Sequence, residues 1–272
     1  MTIPSAACLV IDGRACMTKK RGCIFSLLLV LGLLLTSCAS LPWLEPEGSG
    51  FIHSKSEIRY VYAPTGYMAV STEDAPVAKT RSALLGTVEL YPVKGFSAEQ
   101  FLVSSEGILL CAEGISLPSF EELDVASIGI YRINDGVAIA LASEKKVVDD
   151  VLTAYRDGAW IDRNLILASN KAQAYELRFA ADGAQKGLCY SLRYLSFTEN
   201  VLVYESIESA EGFESSYAGV PMRIAEFTST DEATGETVTE LCAEYNFGKT
   251  LIWDPYRGVC CMAGDALASC FK

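Results

Sequence analysis

The residue pattern predicts a mainly β chain, a β-rich α+β fold of antiparallel sheets in a sandwich or barrel, with one amphipathic helix near residues 144–157. Three observations carry this. From about Glu57 onward, apolar and polar residues alternate with period two through many short runs. The connections between runs are short, whereas parallel strands need crossovers of a dozen residues or more. One segment, Glu144–Asp157, abandons the alternation for helical spacing. A β-propeller-like arrangement is the alternative, since many short strands at fairly even spacing are also its signature, although no blade motif is present. Half of the 272 residues are apolar and 21% are charged, which excludes a disordered chain and supplies a sizeable core.

Taken in order, the chain opens with an address. Lys19, Lys20 and Arg21 form a cationic region before an apolar stretch from Ile24 to Leu35. That stretch is about a dozen residues, where a membrane-spanning helix needs roughly 20. The layout is that of a secretory signal. Its end, Leu35-Thr36-Ser37-Cys38, resembles the lipobox of bacterial lipoproteins: an aliphatic residue, two small residues and a cysteine. The resemblance is confined to this segment. It implies that residues 1–37 are a removable signal peptide, that Cys38 carries acyl chains, and that the protein is anchored in the bacterial cell envelope. Met17 would give a signal of ordinary length and is the expected start of translation. Ala39, rather than an aspartate, follows Cys38, which permits placement in the outer membrane as well as the inner.

Residues 38–55, with Pro42, Pro46, Gly48 and Gly50, have the composition of a tether lifting a domain off the membrane. Residues 56–272 contain no further Pro/Gly-rich linker and are expected to form a single antiparallel domain. Its strand runs begin with Glu57–Tyr62 and Tyr67–Ser71 around an Ala63–Gly66 turn. Ser82–Tyr91, Phe101–Val103 and Ile108–Ala112 follow. The clearest hairpin is Ile128–Ile133 and Val137–Ala142, joined by Asn134-Asp135-Gly136, whose Asp-Gly pair supplies the positive φ of a tight turn. The helix gathers Val147, Val148, Val151, Leu152 and Tyr155 on one face, with Ser143 placed to cap its start and Gly158 to end it. Later runs are Asn164–Ser169, Tyr175–Ala180, Leu188–Ser196, Val201–Ile207, Met222–Ser229, Glu236–Tyr245 and Thr250–Trp253, with Glu205–Tyr217 read as a solvated loop.

Composition also bounds function. The formal charge is −12. The first 37 residues hold four cations and one acid, so the chain from Cys38 onward stands at −15. An electrostatic binder of nucleic acid is excluded on that ground. His53 is the single histidine, which removes Ser-His and Cys-His nucleophile pairs and the two-histidine zinc motifs. No phosphate-binding glycine loop and no cofactor motif is present. The acid pairs Glu121-Glu122, Asp149-Asp150 and Asp231-Glu232 sit in polar contexts and read as solvated surface. Tyr60, Tyr62, Tyr67, Tyr175, Tyr190, Tyr194 and Tyr204 recur in the strands, either as core or as the lining of a ligand surface.

Six cysteines follow Cys38, an even set in an exported chain. Cys111 lies in a continuous apolar run and reads as an inert core thiol. Cys189 and Cys242 fall on the more polar faces of their strands, and Cys260, Cys261 and Cys270 cluster near the C-terminus. At least one disulfide among Cys189, Cys242, Cys260, Cys261 and Cys270 is therefore expected. The leading functional expectation is a non-catalytic, lipid-anchored module that binds an envelope protein or polysaccharide, with the membrane as its other partner through Cys38. The alternative is a carrier or sensor of an apolar small molecule in a lipocalin-like barrel, to be told apart by an open apolar cavity in place of a filled core. A carboxylate-based glycan hydrolase is the third.

Overall fold

Alternating inward apolar residues curl the first strands into a barrel. The computed structural model describes residues 40–82, 85–166, 172–230 and 234–271; residues 1–37, Cys38 and Asp231-Glu232 lie outside these. In chain order the first strands are β1 (Leu44–Glu47), β2 (Gly50–His53), β3 (Arg59–Tyr62), β4 (Tyr67–Ala69), β5 (Ala78–Ser82), β6 (Gly86–Pro92), β7 (Phe101–Ser104) and β8 (Leu109–Ala112). Seven of them form one antiparallel sheet in the order β1-β2-β3-β8-β7-β6-β5. The sheet nearly closes. Trp43 bridges Lys79 in parallel, and the Thr80 hydroxyl donates to the Leu44 carbonyl at 2.9 Å.

The expected tether is corrected by this barrel. From Trp43 onward its residues are wall, with Leu44 only 1% exposed. Composition misleads here because proline and glycine have separate reasons to occur in edge strands and turns. Pro46 pairs with Phe51 alone, so its missing N–H breaks no second ladder. Gly48 turns the chain at φ +59°, and a Cβ on Gly50 would lie 2.3 Å from the Tyr60 carbonyl oxygen.

The remaining strands are β9 (Val125–Arg132), β10 (Ala138–Ala142), then helix α1 (Lys145–Asp157), β11 (Ile161–Asp162), β12 (Ala172–Ala181), β13 (Leu188–Phe197), β14 (Leu202–Ser206), β15 (Met222–Thr230), β16 (Thr237–Asn246), β17 (Thr250–Asp254), β18 (Val259–Met262) and helix α2 (Asp265–Ser269). A second sheet runs β10-β9-β12-β13-β17-β18-β11, with β4 paired to β13. A third, β14-β16-β15, has three strands. All named pairs are antiparallel, and the barrel, not the propeller, is the arrangement adopted.

Two cores flank the second sheet. On one face Ile128, Ile130, Leu177 and Phe179 meet the barrel's outer wall (Phe101, Val103, Leu109, Cys111) and the α1 stripe of Val147, Val148, Val151 and Tyr155. The other core joins Leu195, Phe197 and Leu251 to Val203, Tyr245 and Phe247 around the third sheet. Trp43–Lys272 forms one compact unit. The α1 stripe is as expected except that Leu152 lies at its edge, half-buried. The N-cap is Glu144, with no side-chain cap, so Ser143 is not used. Gly158 ends the helix in extended backbone; glycine is needed because a Cβ would lie 2.2 Å from the Ala154 carbonyl oxygen.

The expected disulfide is not formed. Cys189, Cys242, Cys260, Cys261 and Cys270 are free thiols, as is Cys111. Strand position explains this. Cys189 lies between Ala180 and Met68, Cys242 between Ser206 and Ala225, and Cys260 between Trp253 and Ile161. Cys260 and Cys261, adjacent on one strand, enter opposite cores. Cys111, Cys189, Cys242, Cys260 and Cys261 are thus each buried within a strand, as free cysteine commonly is, while Cys270 ends α2 half-buried with its Sγ 3.8 Å from the Ala266 carbonyl oxygen.

Candidate functional site

Strands β1, β3, β5 and β7 run toward one end of the barrel and β2, β6 and β8 run away from it, so each inward residue has a defined depth. The lower half is filled by Leu44, Tyr60, Ala78, Leu90, Leu102 and Leu110. Tyr60 closes the bottom by donating its hydroxyl to the Ala98 carbonyl at 2.8 Å, and burial pushes its pKa to about 12.

The upper half is open. One step up each strand, Pro46, Phe51, Tyr62, Val88, Ser104 and Ile108 surround a cleft of about 400 Å³, floored by Leu90 and Leu110. That is within the size range of small-molecule sites. Phe51 and Tyr62 meet edge to face with centroids 5.6 Å apart. Tyr62 is 55% exposed and Ile108 44%, unusual exposures for apolar side chains on inward positions. The wall is built locally. Ser104 Oγ accepts from the Glu106 and Ile108 backbone N–H groups at 3.2 and 3.1 Å, folding the β7–β8 turn so that Ile108 overhangs the mouth. Of the lining side chains only Tyr62, Arg81 and Glu106 ionise, and Arg81 and Glu106 are on the exposed rim. Such a site offers van der Waals contact below and polar groups above, which suits a ligand with an apolar body and a polar end.

The other residues singled out in the sequence have local structural roles. His53 Nδ1 accepts from Ser56, from its N–H at 3.1 Å and its Oγ at 2.8 Å. This is a Ser-His contact, but one made within a single exposed turn, and burial with the nearby Lys55 charge lowers the imidazole pKa. Glu122 accepts from Ser119 N–H at 3.0 Å in a capping box. Asp149 pairs with Lys145, and Asp150 accepts from Leu267 N–H at the start of α2. Among the described residues no cluster of His, Cys, Asp or Glu is arranged to hold a metal ion.

The tyrosines divide. Tyr60, Tyr67, Tyr190 and Tyr194 are buried core, whereas Tyr62 lines the cleft and Tyr204 is exposed beside Phe227. A shallower cleft of about 370 Å³ is lined by Tyr67, Phe120, Tyr155, Tyr190 and Arg257. Its rings pack on one another, and Arg257 lies 4.8 Å from the Trp160 ring, so its cationic partner is already internal. Composition alone hides the barrel mouth, because the strands Leu44–Glu47 and Gly50–His53 that complete it share the proline and glycine content of a tether. The signal that reveals it is parity: Pro46, Phe51, Tyr62 and Ile108 all stand on the inward register of their strands or at its end. Compared with family models, curated proteins and solved structures, the chain has no match.

Proposed function

We propose that this chain is a lipid-anchored protein of the bacterial cell envelope and a non-catalytic binding module that holds the apolar body of a small ligand in its barrel mouth. The observation that supports the ligand is the open cleft, apolar at its base and polar at its rim, above a filled barrel floor. An open apolar cavity is what distinguishes a carrier or sensor from a barrel packed solid. The anchor is supported by the Leu35–Cys38 box, and no helix among the described residues is long and apolar enough to cross a membrane. The glycan-hydrolase reading gains nothing, since Glu122, Asp149 and Asp150 are engaged in caps and an ion pair.

Native mass spectrometry of protein gently extracted from membranes tests the ligand. The expected result is a small-molecule adduct on the wild type that is lost in Ile108→Glu, whose exposed position tolerates the charge. An adduct retained by that variant would overturn the site. A second reading, docking of a protein partner, is favoured by a different observation. The edge strand β10 exposes Val137, Ile139 and Leu141 beside it, with no charge between Val137 and Ala142. Cross-linking at Leu141 in intact envelopes tests that reading.

A further inference from the structure

We infer that the face of the second sheet around Arg193 and Trp253 is an anion-binding site, built to take an ionised carboxylate or phosphate group. It uses none of the residues that line the barrel mouth and stands independently of the ligand proposed there.

Strand register builds the site. Glu176, Arg193, Trp253 and Cys260 stand side by side across β12, β13, β17 and β18. Two residues along, Leu195 and Leu251 are buried in the core shared with the third sheet. Arg193 and Trp253 lie on that same face of their strands and form the half-buried rim of this core. From just after β11, Arg163 brings its guanidinium to 5.7 Å from the Trp253 ring centroid. The next row of the face sets Arg178 beside Ser191, with the Arg178 guanidinium 4.3 Å from the Tyr131 ring centroid.

This face is short of hydrogen-bond acceptors. Among the described residues, the buried side-chain nitrogens and oxygens that lack a partner are Arg178 Nε and Trp253 Nε1, and both are here, one in the row of Arg193 and one in the next. Arg163 and Arg193 are half-buried, and neither forms an ion pair among the described residues, whereas Arg59, Arg132, Arg156, Arg178 and Arg223 each do. Arg163 reaches only the Ile166 carbonyl, at 3.5 Å. The carboxylates nearby are engaged elsewhere. Glu176, opposite Arg193, turns its oxygens to Arg178 at 2.8 Å and to the Ser191 hydroxyl at 3.0 Å. Asp162 accepts from the Asn164 N–H, Glu205 from the Tyr245 and Ser216 hydroxyls, and Asp254 from Tyr155 in the opposite core. Glu208, Glu211 and Glu214, on the loop whose Phe213 packs against the same core, are exposed and paired with neither arginine. A partly desolvated guanidinium without a counter-charge is costly, and two beside one indole also repel each other. A group that only accepts removes both costs. An ionised carboxylate or phosphate is such a group, and its paired oxygens match the guanidinium fork. Trp253 holds Arg163 by the flat face, which leaves the N–H edge to the anion.

The test is a nitrogen–proton NMR titration of the full protein in neutral detergent, labelled at Trp43, Trp160 and Trp253, its three tryptophans. Sodium phosphate and sodium acetate are the probes, added in exchange for sodium chloride at constant ionic strength. The Trp253 indole signal, identified by its loss in Trp253→Phe, should move saturably with phosphate or acetate. The probe that saturates it at the lower concentration distinguishes a phosphate from a carboxylate ligand. Trp43 beside Lys79 and Arg81, and Trp160 beside Arg257, also have cationic neighbours and control for loose association of anions. Arg193→Gln and Arg163→Gln should each weaken the Trp253 response about tenfold or more, the scale of a hydrogen bond to a charged group, while unshifted Trp43 and Trp160 signals report an intact fold. A Trp253 signal that moves no more than the other two, or that moves without saturating, overturns the site whatever the variants do. Equal saturation in wild type and in both folded variants overturns the assignment to these arginines.

Discussion

Asp254 shows how a single residue ties the second sheet to the helix. It is fully buried, and its carboxylate accepts from the Tyr155 hydroxyl at 2.8 Å and from the Tyr256 and Arg257 N–H groups at 2.9 and 3.1 Å. Asp254→Ala strands the buried Tyr155 hydroxyl and removes the acceptor that holds the Tyr256 and Arg257 N–H groups of the turn, and urea denaturation should report a loss of about 1–3 kcal/mol, the range for an unsatisfied buried group. A second prediction concerns alkaline pH. Burial raises the pKa of Tyr60, Tyr67 and Tyr155 from 10.0 to about 12, and that of Cys189, Cys260 and Cys261 from 9.0 to about 12. These groups fold neutral, so the unfolded state ionises first. Their contribution is complete below about pH 9 and is lost as pH climbs to about 12. Denaturation midpoints should fall steeply over that window; a flat profile would contradict the burial. The same thiols should alkylate slowly in native protein, and all six should react after denaturation without reductant. Fewer than six would mean that a bridge exists. The cysteine pattern could not reveal this, because strand parity distinguishes faces but not whether another strand covers the polar-looking one.

At the scale of elements, α1 was legible and the first hairpin was not. The helix announced itself because a five-residue apolar stripe at helical spacing has no other use, and only its caps differed: Glu144 replaced Ser143, and Gly158 serves for space, not for a left-handed turn. Val151, wholly buried under the second sheet, should cost about 2 kcal/mol on replacement by alanine, while half-buried Leu152 should cost less than the 2–5 kcal/mol of a core leucine. Strands β1 and β2 were hidden because edge strands and tight turns share the proline and glycine content of linkers. The β9–β10 hairpin was read correctly from its Asp-Gly turn, Gly136 standing at φ +66°. What the sequence did not disclose is that β10 is an edge, with Leu141 70% exposed. An uncharged apolar edge invites pairing with other chains. Leu141→Lys should change stability by no more than about 0.5 kcal/mol, as surface substitutions do, yet reduce light scattering on heating.

At the scale of the molecule, alternation and short connections were enough to predict antiparallel sheets and one helix, because both are local properties. Closure is not local. The barrel depends on Thr80 meeting Leu44, 36 residues away, and on Trp43 meeting Lys79. The open mouth depends on several inward registers stopping one residue short of a filled top. Neither can be read from periodicity within any one run. The account's central claim is that this mouth is a binding site, and its most direct test is a fluorescence titration with an apolar naphthalene probe. Wild-type protein should bind one probe saturably. Tyr62→Glu, at a position exposed enough to keep the denaturation midpoint, should weaken binding by about tenfold or more, since a charge desolvated against an apolar ligand costs at least the 1.4 kcal/mol that a factor of ten represents. Equal binding by both proteins, or saturable binding by neither, would contradict the claim.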